Sequence, residues 1–144
     1  MPRLQTSFLF DLDGTLVDSV YEHVLAWRDA LDHEGIELSV WRIHRKIGMS
    51  GGLFTNMLLR ETGLDISDER VSRLRRLHAE AYKKRAARIP PLPGARALLA
   101  YLTEAEIPWA IATSGRMETA GPVIENLGVD MAKVPVVTRD QVKY

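Results

Sequence analysis

Asp11 and Asp13 stand two residues apart, where the apolar run Thr6 to Phe10 gives way to the turn Leu12-Asp13-Gly14-Thr15. In extended backbone, residues i and i+2 project to the same side, so both carboxylates can converge while Leu12 turns into the core. Crowded carboxylates repel, and they need a cation, hydrogen-bond donors or a shared proton to coexist. A hard, oxygen-seeking ion such as Mg2+ suits them. Spacing alone also permits a plainer reading, in which the acids decorate a strand-to-helix turn and Thr15 caps the next helix. A second candidate lies at Thr113-Ser114-Gly115, where the apolar run Ile107 to Ala112 ends in a hydroxyl. Ser114 by itself also suits a turn or a helix cap.

The elements that must position these residues can be read from periodicity. Thr6–Phe10 predicts a short buried strand. Val20, Val24, Trp27 and Leu31 recur at helical spacing from about Ser19, and Gly35 breaks the pattern. Trp41 to Ile47 and Leu53 to Leu59 predict two short helices around Gly48-Met49-Ser50-Gly51-Gly52. Asp65-Ile66-Ser67-Asp68 introduces a helix with Val71, Leu74, Leu77 and Ala81 on one side. Ile89-Pro90-Pro91-Leu92-Pro93-Gly94 is a stiff connection. Ala95, Leu98, Leu99 and Leu102 then predict a helix, and Ile107–Ala112 a strand with Pro108 at its entrance. Met117–Leu127 predicts another helix, with Pro122 near its start or distorting it, and Gly128 closes it. Val134–Val137 gives a third strand. The alternation predicts an α/β layer with a separate all-helical insert. In such layers ligands sit outside the carboxyl ends of the strands, which is where Asp11, Asp13 and Ser114 fall.

Composition narrows the classes. A formal net charge of zero argues against a broad nucleic-acid-binding field. The basic run Arg70, Arg73, Arg75, Arg76, Lys83, Lys84, Arg85 and Arg88 is read mostly as a solvated helical face, with phosphate attraction second. Interleaved aromatics for single-strand stacking are missing from it. Absence of cysteine excludes thiolate nucleophiles, disulfides and cysteine zinc sites. Without a long apolar segment or a basic leader before an apolar core, a soluble, cytoplasmic protein without membrane or nucleic-acid partners is expected. His23, His33, His44 and His78 show no metal-ligand spacing, and Trp27, Trp41 and Trp109 read as packing residues.

Asp11-Leu12-Asp13-Gly14-Thr15 closely resembles the first motif of the haloacid-dehalogenase-like (HAD) superfamily, in its magnesium-dependent phosphatase and phosphomutase branch. Thr113-Ser114-Gly115 matches the second motif, and the intervening helices resemble an inserted cap. The resemblance implies a HAD-like, Rossmann-type three-layer α/β core, incomplete here, over 1–17 and 89–144, with a helical cap over 18–88. It implies that Asp11 is the nucleophile and, with Asp13, a Mg2+ ligand, Asp13 contributing its backbone carbonyl. Asp13 becomes the general acid/base and Ser114 a donor to the phosphoryl group. Thr15, Gly115 and Arg116 are implied near the phosphate, and His44 and Ser50 as cap contacts to substrate.

The expected activity is hydrolysis of a small phosphorylated metabolite through an aspartyl phosphate, with a phosphoglycolate-phosphatase-like substrate range. Phosphomutase and pyrophosphatase action are the related alternatives, and an inactive binding protein on the same scaffold is the alternative of a different class. The cap lacks the arginine pattern of sugar phosphomutases, which weakens a beta-phosphoglucomutase reading. The later lysine and acidic motifs of the family have no secure counterpart, since Lys143 lacks a following proline and Glu118, Asp130 and Asp140 read as surface charge. The chain is therefore expected to be the amino-terminal part of a longer protein, monomeric or homodimeric, with its first strand on an open sheet edge.

Overall fold

The computed structural model describes residues 6–49, 51–64 and 67–143, apart from the side chains of residues 51 and 52. Three parallel strands, β1 (Phe8–Phe10), β2 (Trp109–Ala112) and β3 (Val136–Val137), form a sheet in the order β1-β2-β3. Phe10 lies beside Ile111, and Ile111 beside Val136, so the strands end in register. Central β2 buries Ile111 completely, whereas Leu9 on edge strand β1 is 70% exposed. The expected strands are thus present but shorter, and β1 lies at the open edge foreseen for it, where Phe8 and Leu9 are exposed rather than buried as their apolar run suggested.

Parallel strands require crossover connections. The connection from β1 to β2 carries five helices: α1 (Val20–His33), α2 (Val40–His44), α3 (Gly51–Thr62), α4 (Asp68–Ala86) and α5 (Ala95–Glu104). α6 (Met117–Leu127) joins β2 to β3, and a 3-10 turn at Arg139–Gln141 follows. The apolar stripe of α1 is buried at Val24, Trp27 and Leu31. Gly35, at φ +69°, then reverses the chain in the left-handed region that glycine tolerates. Ser67 caps α4 by accepting a hydrogen bond from the Arg70 N–H, with Asp68 and Glu69 in its first turn and Lys83, Lys84 and Arg85 in its last.

Some sequence expectations need adjustment. Leu77 and Ala81 are only half-buried, and the buried side of α4 runs instead through Val71, Leu74, Ala79, Tyr82 and Ala86. Leu98 lies off the buried stripe of α5. Trp41 is not a packing residue: it is largely exposed, with the Arg45 guanidinium 4.9 Å from its ring. Pro122 sits inside α6 rather than at its start, on the exposed side of the helix.

The helical run leaves and re-enters the α/β layer at one place. Val17 bridges Pro91 antiparallel, the Asp18 N–H donates to the Pro90 carbonyl, and the Leu92 N–H donates to that of Leu16, both at 2.9 Å. Two apolar clusters lie on either side of this crossing. One gathers Leu12, Leu16, Ile111, Val123 and Ile124 beneath the sheet. The other packs Val24, Trp27, Ile43, Phe54, Leu58 and Leu74 among the inserted helices. Tyr82 and Ala86 of α4 and Ala26 of α1 belong to the first cluster, so the insert is seated on the α/β layer rather than tethered to it.

Candidate active site

Beyond the carboxyl ends of all three strands opens a cleft of about 1160 Å3. Asp11 and Asp13 follow β1, Ser114, Gly115 and Arg116 follow β2, and Arg139 and Asp140 follow β3; all of them line it. The opposite wall comes from the insert, including His23 and Trp27 of α1, His44 of α2, Gly48 and Met49 after it, and Arg75 and His78 of α4. Parallel strands of similar reach deliver these loops to one end of the sheet, and that common end makes the cleft.

The turn after Asp13 is set by its backbone. Leu12, 1% exposed, anchors it from below, and its carbonyl accepts from the N–H groups of Thr15 and Leu16. Gly14 has φ +75°, and a Cβ there would come within 3.0 Å of Val20 Cγ2. Asp11 emerges on the exposed side with the Thr15 hydroxyl as a hydrogen-bond partner. Burial pushes its carboxyl above the usual range and the Asp13 charge adds to this, against the lowering effect of the Leu12 backbone and Thr15 hydrogen bonds. Thr15 therefore steadies Asp11 without lining the cleft, and the N-cap position of α1 is taken by Ser19, whose hydroxyl caps nothing and turns to Asp13.

Asp13 is held quite differently. Burial works to raise its carboxyl as well, but the His23 hydrogen bond and charge, helped by Ser19, outweigh it and leave the group below its usual range. Its Oδ1 accepts from the Ser19 hydroxyl at 2.5 Å and from His23 Nε2 at 3.0 Å. His23 Nδ1 then lies 3.2 Å from His78 Nε2. An ionised carboxylate only accepts, so a proton belongs on His23 Nε2, and in the charged ring that lowers Asp13 the Nδ1–H also donates, to the Nε2 lone pair of neutral His78. Burial drives His78 well below its ordinary value and so keeps it neutral, which fits that assignment. The rings are clamped by stacking, His23 on Tyr82 at 3.9 Å and His78 on Trp27 at 4.2 Å between centroids.

This His78–His23–Asp13 chain joins α4 and α1 of the insert to the α/β layer, and sequence reasoning missed it. A signal was available. His23 falls between Val20 and Trp27 on the apolar stripe of α1, and His78 lies one turn beyond Leu74 on α4. A histidine inside an apolar stripe needs a polar partner, and these two are each other's.

Ser114 stands exposed at the cleft, and Arg116 rather than Ser114 occupies the N-cap position of α6, which excludes the helix-cap alternative for Ser114. Gly115 is fixed between two strand ends: its N–H donates to Thr113 Oγ1, and its carbonyl accepts from the Arg139 N–H. Two acids read as surface charge carry structural roles. Asp140 accepts from the Met117 N–H at the start of α6 and lies 3.2 Å from Arg116, while Glu118 pairs with Lys83 at 2.7 Å across the two layers. His44 lines the cleft, stacked 5.2 Å from Tyr21. Ser50, the other expected cap contact, lies outside the described residues.

The expected solvated arginine face is largely an ion-pair network. Arg73 meets Glu34 at 2.8 Å and Arg85 meets Asp29 at 2.7 Å.

A family model described as haloacid dehalogenase-like hydrolase matches residues 6–144. The chain belongs to the haloacid dehalogenase-like hydrolase family. Within it, the chain is 38% identical over 138 residues to Hexitol phosphatase A of Escherichia coli (strain K12), a match covering 94% of this chain and 60% of that protein. A solved hydrolase from Pseudomonas syringae shares 54% identity with a TM-score of 0.91, over 97% of this chain and 64% of its own. A predicted phosphoglycolate phosphatase from Haemophilus somnus 129pt, 17% identical, shares the fold with a TM-score of 0.80, over 97% and 65%. The chain thus spans about 60% of its curated relative's length. The parallel core and inserted helical cap of the HAD-like family account for the layer and insert seen here. No described helix is long and apolar enough to cross a membrane.

Magnesium-dependent catalysis is typical of HAD-like hydrolases, and the donors can be tested for it. The Asp11 carboxylate and the Asp13 main-chain carbonyl are hard oxygens of the type Mg2+ prefers. A cation there would also relieve the repulsion that Asp13 exerts on Asp11. Among the described residues no group of three or more potential ligands comes together, so these donors fit Mg2+ as part of a site.

Proposed function

We propose that the protein is a phosphatase of small phosphorylated metabolites, with Asp11 as nucleophile and Asp13 as general acid/base. The observation that carries this reading is the convergence of Asp11, Asp13 and Ser114 on one cleft beyond the ends of β1 and β2. An Asp11 oxygen attacks phosphorus, the bond from phosphorus to the leaving oxygen breaks, and Asp13 gives that oxygen its proton. Water then attacks the aspartyl phosphate, Asp13 takes the water's proton, and phosphate leaves with Asp11 restored. Ser114 donates to the phosphoryl oxygens as charge shifts. Mg2+, held by the Asp11 carboxylate and the Asp13 carbonyl, would offset the negative charge of the phosphoryl group.

Asp13 is held ionised by its partners, which suits the hydrolytic step directly. For the first step it needs a proton: a His23 ring protonated at both nitrogens can pass its Nε2 proton to Asp13 and become neutral, still held by His78 behind it. Residues 18–88 act as the cap over a core of 1–17 and 89–144. The paired crossing at Val17 and Pro91 supports those limits. A hexitol phosphate is the first substrate to try, given the 38% identity to a hexitol phosphatase. In the test, full-length, magnesium-loaded protein releases phosphate from sorbitol 6-phosphate, and Asp11→Asn abolishes release. Absence of turnover by the intact protein across a broad panel of small phosphates would overturn the reading.

A further inference from the structure

Four arginines of α4 have acidic partners: Arg70 and Arg73 share Glu34, Arg76 meets Glu80, and Arg85 meets Asp29. Arg75 does not. It has no carboxylate partner among the described residues, and it lines the cleft instead of joining the outer network. Arg116 and Arg139 reach the same cleft from the ends of β2 and β3. Burial, and then the charges of Arg116 and Arg139, pull the Arg75 guanidinium below its ordinary value, which means that like charges face one another there. Asp140 meets Arg116, yet it also caps α6, so it is fixed in place. Guanidinium groups crowded from both sides of a cleft are stabilised by an oxyanion, which their planar donor forks bind well.

The position specifies which oxyanion. Arg75 comes from the cap helix, across the cleft from Asp11 and Ser114, and so on the side of the substrate's leaving group. We propose that Arg75, with Arg116 and Arg139, binds a second anionic group, phosphate or carboxylate, on the leaving-group part of the substrate. The proposal rests on the phosphatase reading above and narrows it to doubly anionic phosphate esters. Cap and core each contribute arginine to one anion, so such a substrate also draws the two walls together.

Three matched esters test it in full-length, magnesium-loaded protein: sorbitol 6-phosphate, 6-phosphogluconate and sorbitol 1,6-bisphosphate. They present a hydroxyl, a carboxylate or a phosphate at the far carbon. The expected result is a kcat/KM at least about tenfold higher for one or both charged esters, and which of the two gains tells carboxylate from phosphate. Arg75→Gln should reduce that ratio to within about threefold of unity, and Arg75→Lys should keep part of it. Lys84→Gln, which removes an equal charge from the exposed side of the same helix, should leave the ratio unchanged. Calorimetric binding of the same esters to Asp11→Asn should show the same ranking. A wild-type ratio near one, or a ratio insensitive to Arg75→Gln, overturns the subsite and leaves the phosphatase reading standing. No release from any of the three, with no binding, overturns both.

Discussion

Replacing Ser19 by alanine removes one hydroxyl from a fully buried position and tests how Asp13 is held. The hydroxyl donates to Asp13 Oδ1, and it also interacts with the phenol of Tyr82, whose ionisation burial strongly opposes. A hydrogen bond to a charged group contributes about 1.5–3 kcal/mol, and a buried hydroxyl left without its partner costs about 1–3 kcal/mol. Water can reach the half-buried Asp13 and soften the first loss, so a destabilisation of about 3 kcal/mol is expected at pH 7. For a domain near this size that lowers Tm by about 6–12 °C.

The pH dependence separates the two parts of that loss. The folded-state pKa of Asp13 is depressed, so its contribution is fully present above the unfolded value near 3.8 and is lost as pH falls through the folded value. Ser19→Ala moves the folded value upward, because one of the groups that lowers it has gone. Once Asp13 is protonated the missing bond is a neutral one, worth about 1 kcal/mol. The gap between wild type and variant should therefore shrink between pH 7 and an acid pH below the folded value of Asp13. Urea denaturation at the two pH values measures the gap, and carbon-13 carboxyl titration follows Asp13 directly. A gap that is equal at both pH values, or an Asp13 titration unmoved in the variant, would refute the reasoning.

Two other substitutions probe the backbone around the cleft. Gly14→Ala places a side chain at φ +75° with Val20 3.0 Å away, so it should cost about 1–2 kcal/mol or more, seen as a Tm lower by several degrees. Pro122→Ala should raise stability: it restores an N–H inside α6 on an exposed face, and that gain exceeds the roughly 0.4–1 kcal/mol of unfolded-chain entropy given up. A lower Tm for that variant would show that the ring is accommodated without strain.

Much of this architecture was legible because it rests on local signals. The step from Phe10 to Gly14, the stripe from Val20 to Leu31, and the stop at Gly128 each follow from side-chain period or backbone freedom within a few residues. The cleft itself could be inferred once two strands were seen to end in functional residues. His23 and His78 could not be paired in the same way, being 55 residues apart on two helices whose relative rotation depends on packing of the whole insert. Likewise, Arg73 and Arg75 look alike in the sequence. Their positions around the helix axis decide that one meets Glu34 while the other enters the cleft. For Pro122 the sequence left two placements open, near the start of α6 or inside it, and burial of the flanking Gly121 and Val123 carries the helix through it.

The crossing at Val17 and Pro91 has a consequence for engineering. Asp18 and Pro90 are joined by one backbone hydrogen bond, so topologically the whole insert could be cut out and the gap closed by a short turn. The chemistry is less modular than the chain path. A capless scaffold would keep Asp11, Ser114 and Thr15, yet it would lose Ser19, His23 and Tyr82 together, and with them the scaffold that orients Asp13. Swapping caps between relatives to change selectivity would therefore also exchange the groups that hold Asp13. A graft joined at this crossing has to carry its own serine and histidine near the start of α1.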